Sequence, residues 1–239
     1  MRKIRDSFGI ASTPFFEVGY LIVWLTLAQV LLLAFVLILV PLFFKQIPGR
    51  TKWPPLLYFA AIGTGYMFAE ILFIQQFSQY FGSTLYAASV VLGAMLLFSG
   101  AGAAFSQRIL RSGERMKVLA IAIAVVLSLL APGLPVVLNA TTGAPFVVKG
   151  LLCVFLIGPV AFLMGMMFPC GIRVLSLGGE EEMIPWAWGV NGTFSVISTA
   201  LATIVAVEVG YPFVLWGAGF AYLIAGLVCK SRVFSKFVS

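Results

Sequence analysis

Residues 57–117 read LYFAAIGTGYMFAEILFIQQFSQYFGSTLYAASVVLGAMLLFSGAGAAFSQRILRSGERMK, two long apolar runs joined by a tight turn at Gly82 and closed by a basic segment. As α-helix, each run is long enough to cross a hydrocarbon core about 30 Å thick. The first run holds a single carboxylate, Glu70. It stands about fifteen residues from the run's start, which at about 1.5 Å of rise per residue is near the middle of a bilayer. An ionisable group at that depth is expensive and is kept with a partner, in a water-filled cavity or in protonated form. Glu70 is therefore the first candidate functional residue.

Composition agrees with that reading. The chain has 239 residues, 62% of them hydrophobic and 10% charged, with a mean hydropathy of +1.09. No water-soluble core of this length hides so much apolar surface, so the expected class is an all-α polytopic membrane protein. No n-region, short h-region and small-residue cleavage site occur in that order, and the first apolar run reads as a span rather than a removable signal peptide. Net charge is +7, but Lys and Arg gather at the ends of apolar runs, where they set topology; nucleic acid is not an expected partner. The absence of histidine removes His-ligated haem, most zinc sites and the usual proton shuttle. Cys153, Cys170 and Cys229 are far apart, without CxxC spacing, and read as buried small apolar residues. No metal and no cofactor are expected.

Read in order, a polar tail (1–17) precedes a first span (18–44) whose one strongly polar interior residue is Gln29, a residue type that usually bonds a neighbouring helix. A short basic, proline-rich linker with Trp53 follows. Residues 55–229 then form a bundle of six spans, beginning with 56–77 and 84–105, in which Gly63, Gly65, Gly93, Gly100 and Gly102 let helix backbones approach closely. The fourth span (118–138) is expected to bend or end near Pro132, Gly133 and Pro135. The fifth (146–168) carries Lys149 one turn in and a Gly158-Pro159 pair expected to kink it. Lys149 either snorkels to the nearer interface or pairs with Glu70. Residues 169–184, with Glu180, Glu181 and Glu182, read as a solvated connection, since adjacent helical carboxylates point about 100° apart. The sixth span (185–207) carries Asn191 one turn inside, the seventh runs over 211–229, and a basic tail (230–239) closes the chain.

Seven spans with the amino terminus outside put eleven Lys and Arg residues on the cytoplasmic side against four opposite, which favours a cytoplasmic carboxyl terminus. The basic tail 1–17 conflicts with this count, a conflict that a bound partner or a preceding domain resolves.

Two resemblances follow from these residues. GAGAAFSQRILRSGERMK, from Gly100, and WAWGVNGTFSVISTALATIVAVEVGYPFVLWGAGFAYLIAG, from Trp186, resemble the basic loop and the last two helices of half a major facilitator transporter. That family's acidic loop residue is absent; Ser106 and Gln107 stand near its place. YFAAIGTGYMFAEILFIQQF, STLYAASVVLGAMLLFSGAGA, MGMMFPCGIRVLS and WAWGVNGTFSVIST are more closely similar to the membrane portion of bacterial spermidine-synthase-like fused transmembrane proteins. Span lengths and the first resemblance imply one peripheral helix plus a six-helix, half-transporter-like bundle, and the second resemblance implies a bacterial-type inner membrane. It also implies an adjoining aminopropyltransferase domain, for which residues 1–239 hold no glycine-rich fingerprint in a soluble context.

The expected function is accordingly an integral membrane scaffold or conduit subunit of a larger complex, with no enzyme activity of its own. The alternative is a half-size small-molecule or cation transporter with Glu70 in the pathway. A third reading is an enzyme working at the membrane face near Glu180 to Glu182. Membrane lipids and either other subunits or a second copy are the expected partners. Glu70, Gln75, Asn191, Lys149 and Gln29 are the intramembrane polar or binding candidates, Gln75 as a possible hydrogen-bond partner of Glu70.

Overall fold

A chain segment in lipid has to satisfy every backbone N–H and C=O within itself, so apolar runs of this length fold as helices. The computed structural model describes residues 14–34, 36, 53–109 and 113–229, and among them shows seven α-helices and no strand. They are α1 (Pro14–Ala34), α2 (Trp53–Phe81), α3 (Thr84–Ile109), α4 (Gly113–Ala140), α5 (Phe146–Leu177), α6 (Ile184–Glu208) and α7 (Tyr211–Val228), with a short 3-10 turn at Glu181–Met183. Helices α2 to α7 are each long and apolar enough to cross a membrane. The protein is all-α and polytopic. Helix α1 lies to one side, packed on α6, with most of its described side chains exposed. The tails 1–13 and 230–239, position 35, residues 37–52, which hold the end of the expected first span and most of the linker, and the tip of the α3–α4 connection (110–112) lie outside the described residues.

Helix α2 is the hub. It packs on α6, α7, α3 and α5, and the remaining major pairs, α3 with α5 and α4 with α7, close the bundle around it. Its inner face buries Tyr58, Phe59, Leu72, Phe73 and Phe77 completely. The Tyr58 hydroxyl donates to the Met167 carbonyl at 2.7 Å and ties α2 to α5. Gly82 adopts φ +70, the left-handed conformation that lets α2 reverse directly into α3.

Small residues set the closest approaches. A Cβ added at Gly102 would collide with the Phe162 carbonyl oxygen, and one at Gly165 with the Ser99 backbone, so α3 and α5 touch main chain to main chain. Gly65 receives the Tyr222 ring and Gly63 the Asn191 amide. Gly93 and Gly100 do not behave as expected from sequence: a Cβ at either meets open space, because α3 turns that side away from the bundle.

Several helices also outrun their sequence-based ends. Helix α4 continues through Pro132 and Pro135 to Ala140, and α5 through Pro159 and Pro169 to Leu177. A proline removes one helical hydrogen bond, but in an apolar medium the rest of the ladder has no competing water and neighbouring helices hold the segment in line. Residues 169–177 are thus helical rather than a solvated connection, with Cys170, Val174 and Leu175 buried. All three cysteines are buried and free.

Candidate functional site: the seam between α2 and α6

Helices α2 and α6 run in the same direction in constant register. The Asn191 side-chain amide donates to the Phe59 carbonyl at 3.0 Å, and Thr199 Oγ1 lies 3.7 Å from Met67 Sδ, the same separation of 132 residues in both contacts. Asn191 is followed at four-residue intervals by Ser195, Thr199 and Thr203, which therefore form a polar ladder along one ridge of α6. Each hydroxyl donates back into its own helix, Ser195 to the Asn191 carbonyl at 2.8 Å, Thr199 to Ser195 at 3.0 Å and Thr203 to Thr199 at 3.2 Å. Their protons are used internally, so the ladder offers lone pairs outward.

Against the ladder stands the less buried side of α2. Gly63, Met67, Glu70 and Ile74 share a stripe at helical spacing, with Tyr66 beside it donating to Ser99 Oγ on α3 at 3.4 Å. A cavity of about 290 Å³ opens there, lined by Gly63, Tyr66, Met67, Met164, Asn191 and Ser195, with Trp188 and Tyr222 completing its walls. Glu70 lies one turn beyond Tyr66 and Met67, half-buried, level with Ala202 and Thr203 if the register is carried forward. No hydrogen bond or ion pair joins it to any described residue. A carboxylate beside a row of acceptor oxygens cannot hold an anion; the arrangement suits a cation, a proton or a neutral donor.

The other sequence candidates separate from Glu70. Lys149 sits near the far end of α2, with Nζ 4.7 Å from the centre of the Tyr80 ring and donating to the Tyr80 carbonyl at 3.3 Å. Tyr80 is ten residues beyond Glu70, about 15 Å along the axis, so Lys149 takes the interfacial position and not the ion-pair position. Asn191 touches α2, but two to three turns below Glu70, and spends its amide on Phe59. Gln75 is half-buried and makes no hydrogen bond to Glu70. Gln29 is exposed on α1 and makes no hydrogen bond among the described residues. Ser176 donates to Glu181 Oε1 at 3.2 Å, and the glutamates at 181 and 182 are exposed; no group of residues among those described could hold a metal ion.

Sequence reasoning missed the ladder itself. Its signal was the four-residue spacing from Asn191 to Thr203, which looks like ordinary helix decoration until a partner helix lies in register beside it. It also missed Ser198, whose Oγ is fully buried on α6 without a hydrogen-bond partner among the described residues. Comparison with protein-family models, with curated proteins and with solved structures gives no match.

Proposed function

We propose that this chain is a membrane subunit whose α2–α6 seam forms one wall of a polar path, the second wall coming from another polypeptide or a second copy. The observation that carries this reading is Glu70, half-buried near the middle of the central helix and without a hydrogen-bond or ion-pair partner among the described residues. In an apolar medium such a group is kept where water or another chain reaches it or where it holds a proton, and the first two are what a polar path with a second wall supplies. The flanking helices are consistent with a further wall, since α3 and α6 bury the smallest share of their surfaces within the bundle. The resemblance to the membrane portion of spermidine-synthase-like fused proteins supports the same reading, a conduit or scaffold working with a separate partner in a bacterial-type inner membrane, carboxyl terminus on the cytoplasmic side.

A transporter half with Glu70 as cation or proton ligand is the second reading, favoured by the acceptor-only ladder of α6. Both readings require water at Glu70. Cysteine placed singly at Glu70, Thr203 and, as a lipid-facing control on α4, Leu129 tests this in native membranes, because the three native thiols are buried. A charged, water-borne thiosulfonate should modify the first two and spare the third. A seam that reacts only with an apolar maleimide is sealed, and the path reading then fails. Native purification separates the two readings: copurifying chains identify a conduit subunit, whereas a self-associated species that moves a cation identifies a transporter half.

A further inference from the structure

A second cavity lies at the opposite end of the bundle from Arg108, where α2 ends, α4 ends and α7 begins. Its volume is about 370 Å³, within the range of roughly 300–1,000 Å³ typical of small-molecule sites. It shares no residue with the Glu70 seam. The floor is Gln76, a side chain with only 8% of its surface exposed and with no hydrogen-bond partner among the described residues. A primary amide carries two donors and an acceptor with two lone pairs, and although the residue is nearly buried its amide atoms are not sealed in. The cavity in front of Gln76 is where those bonds are available.

The rest of the lining repeats the chemistry. Gln79 Nε2 donates to the Tyr211 hydroxyl at 2.8 Å, which leaves the Gln79 carbonyl oxygen and the Tyr211 proton to spare. Thr142 Oγ1 is 3.0 Å from each of the Leu138 and Asn139 carbonyls, so its proton is used and its lone pairs face outward. Asn139 adds another amide with no described partner. The lining thus offers both donors and acceptors, and Pro135, Leu138 and Pro212 supply apolar wall. The Tyr80 side chain is fixed from behind, its hydroxyl on Thr141 at 2.8 Å and its ring under Lys149. Lys149 and Glu208, the charged residues described at this end, are both outside the lining. A charged ligand would be desolvated there without a counter-charge in the lining, whereas a hydroxyl, donor and acceptor at once, can pair with either kind of group.

We propose that this cavity binds a small uncharged polyhydroxylated ligand, a sugar or cyclic polyol, anchored on Gln76. The same chemistry comes either from a free molecule in the adjoining aqueous compartment or from the glycosyl headgroup of a lipid. The proposal is independent of the Glu70 seam. The test uses the full chain in phosphatidylcholine nanodiscs, free of sugar detergents, with glucose and myo-inositol as soluble probes and monoglucosyl diacylglycerol as the lipid probe. Saturation-transfer NMR should show transfer to the sugar C–H protons of one arm. Gln76→Leu, which keeps an apolar floor, should weaken binding at least about tenfold, the loss expected for one buried amide fork. Asn139→Ala, at an exposed lining position, should weaken it several-fold with unchanged melting and so guards against a folding artefact in the first variant. Transfer only to the soluble probes assigns a free ligand, and transfer only to the glycolipid assigns a headgroup. The proposal is overturned by no transfer in either arm, by equal binding in both variants, or by choline or glutamate competing as well as glucose.

Discussion

Gly165→Ala adds one methyl group where α5 meets α3. An ideal Cβ at Gly165 would lie 2.6 Å from the Ser99 carbonyl carbon, against a favourable carbon–carbon separation of about 3.5–4.0 Å. The obstacle is main chain on a helix, so no rotamer change relieves it and the two helices have to part locally by about 1 Å. A gap of that size forfeits between a quarter and a half of the dispersion energy of each facing atom pair. Overpacking of this kind costs about 1–3 kcal/mol, and a backbone obstacle puts Gly165 at the upper end. For a chain of this size that corresponds to a fall in melting midpoint of roughly 5–10 °C. The same reasoning covers Gly102→Ala, whose Cβ would meet the Phe162 carbonyl. Gly93→Ala and Gly100→Ala on the same α3 meet nothing and are the controls; they should be neutral or slightly stabilising, since alanine is the better helix former. Thermal unfolding in one detergent, followed by tryptophan fluorescence, reads all four. If Gly165→Ala melts with the controls, the main-chain contact between α3 and α5 is not made and the pairing that frames the bundle is wrong.

Tyr58→Phe deletes the buried bond to the Met167 carbonyl and should cost about 0.6 kcal/mol, the average for interhelical hydrogen bonds in membranes, and at most about 1.7 kcal/mol, read as a lower melting midpoint. Ser198→Ala removes a buried hydroxyl that has no partner among the described residues and should leave stability unchanged or raised; a loss above about 1 kcal/mol would reveal a bond that Ser198 makes.

The sequence displayed the class of the fold openly, because apolar runs of bilayer length leave helix as the one choice for a backbone without water. It also displayed the α2–α3 turn, where Gly82 separates two such runs. What it hid was register. Gly63 and Gly93 look alike in sequence, yet one receives the Asn191 amide and the other faces outward, since that depends on which side of each helix a neighbour covers. Glu70 was legible as a lone carboxylate at mid-span; the failure of Lys149 and Asn191 to reach it was not, because axial depth follows from how α2, α5 and α6 slide against one another. Pro132, Pro135 and Pro169 misled in the same way, as local helix-breaking signals overruled by packing. Gln76 drew no attention beside Gln75, although burial separates the two adjacent amides, one closed in and facing a cavity, the other half-exposed.

Glu70 brings stability and function into opposition, and one variant measures both. In the isolated chain the carboxyl gains no described hydrogen bond or ion pair, so its presence near the centre of α2 is a net cost. Insertion scales put an acidic residue such as aspartate at a helix centre at about +2.5 to +3.5 kcal/mol and leucine at about −0.3 to −0.6 kcal/mol. Because Glu70 is half-buried and can take up a proton, the gain on Glu70→Leu should be a fraction of that difference, on the order of 1–2 kcal/mol. The isolated variant should therefore melt a few degrees higher than the parent. In the native membrane the same change removes the carboxylate from the seam, and the assembly or cation movement that depends on it should fall, as expected where a group is retained for function at the expense of stability. Glu70→Gln separates the contributions, since it keeps the shape and a hydrogen-bonding amide while removing the charge. A lower melting midpoint for isolated Glu70→Leu would mean that the carboxyl holds the bundle together from within, and the case for a partner or a water path at this depth would be lost.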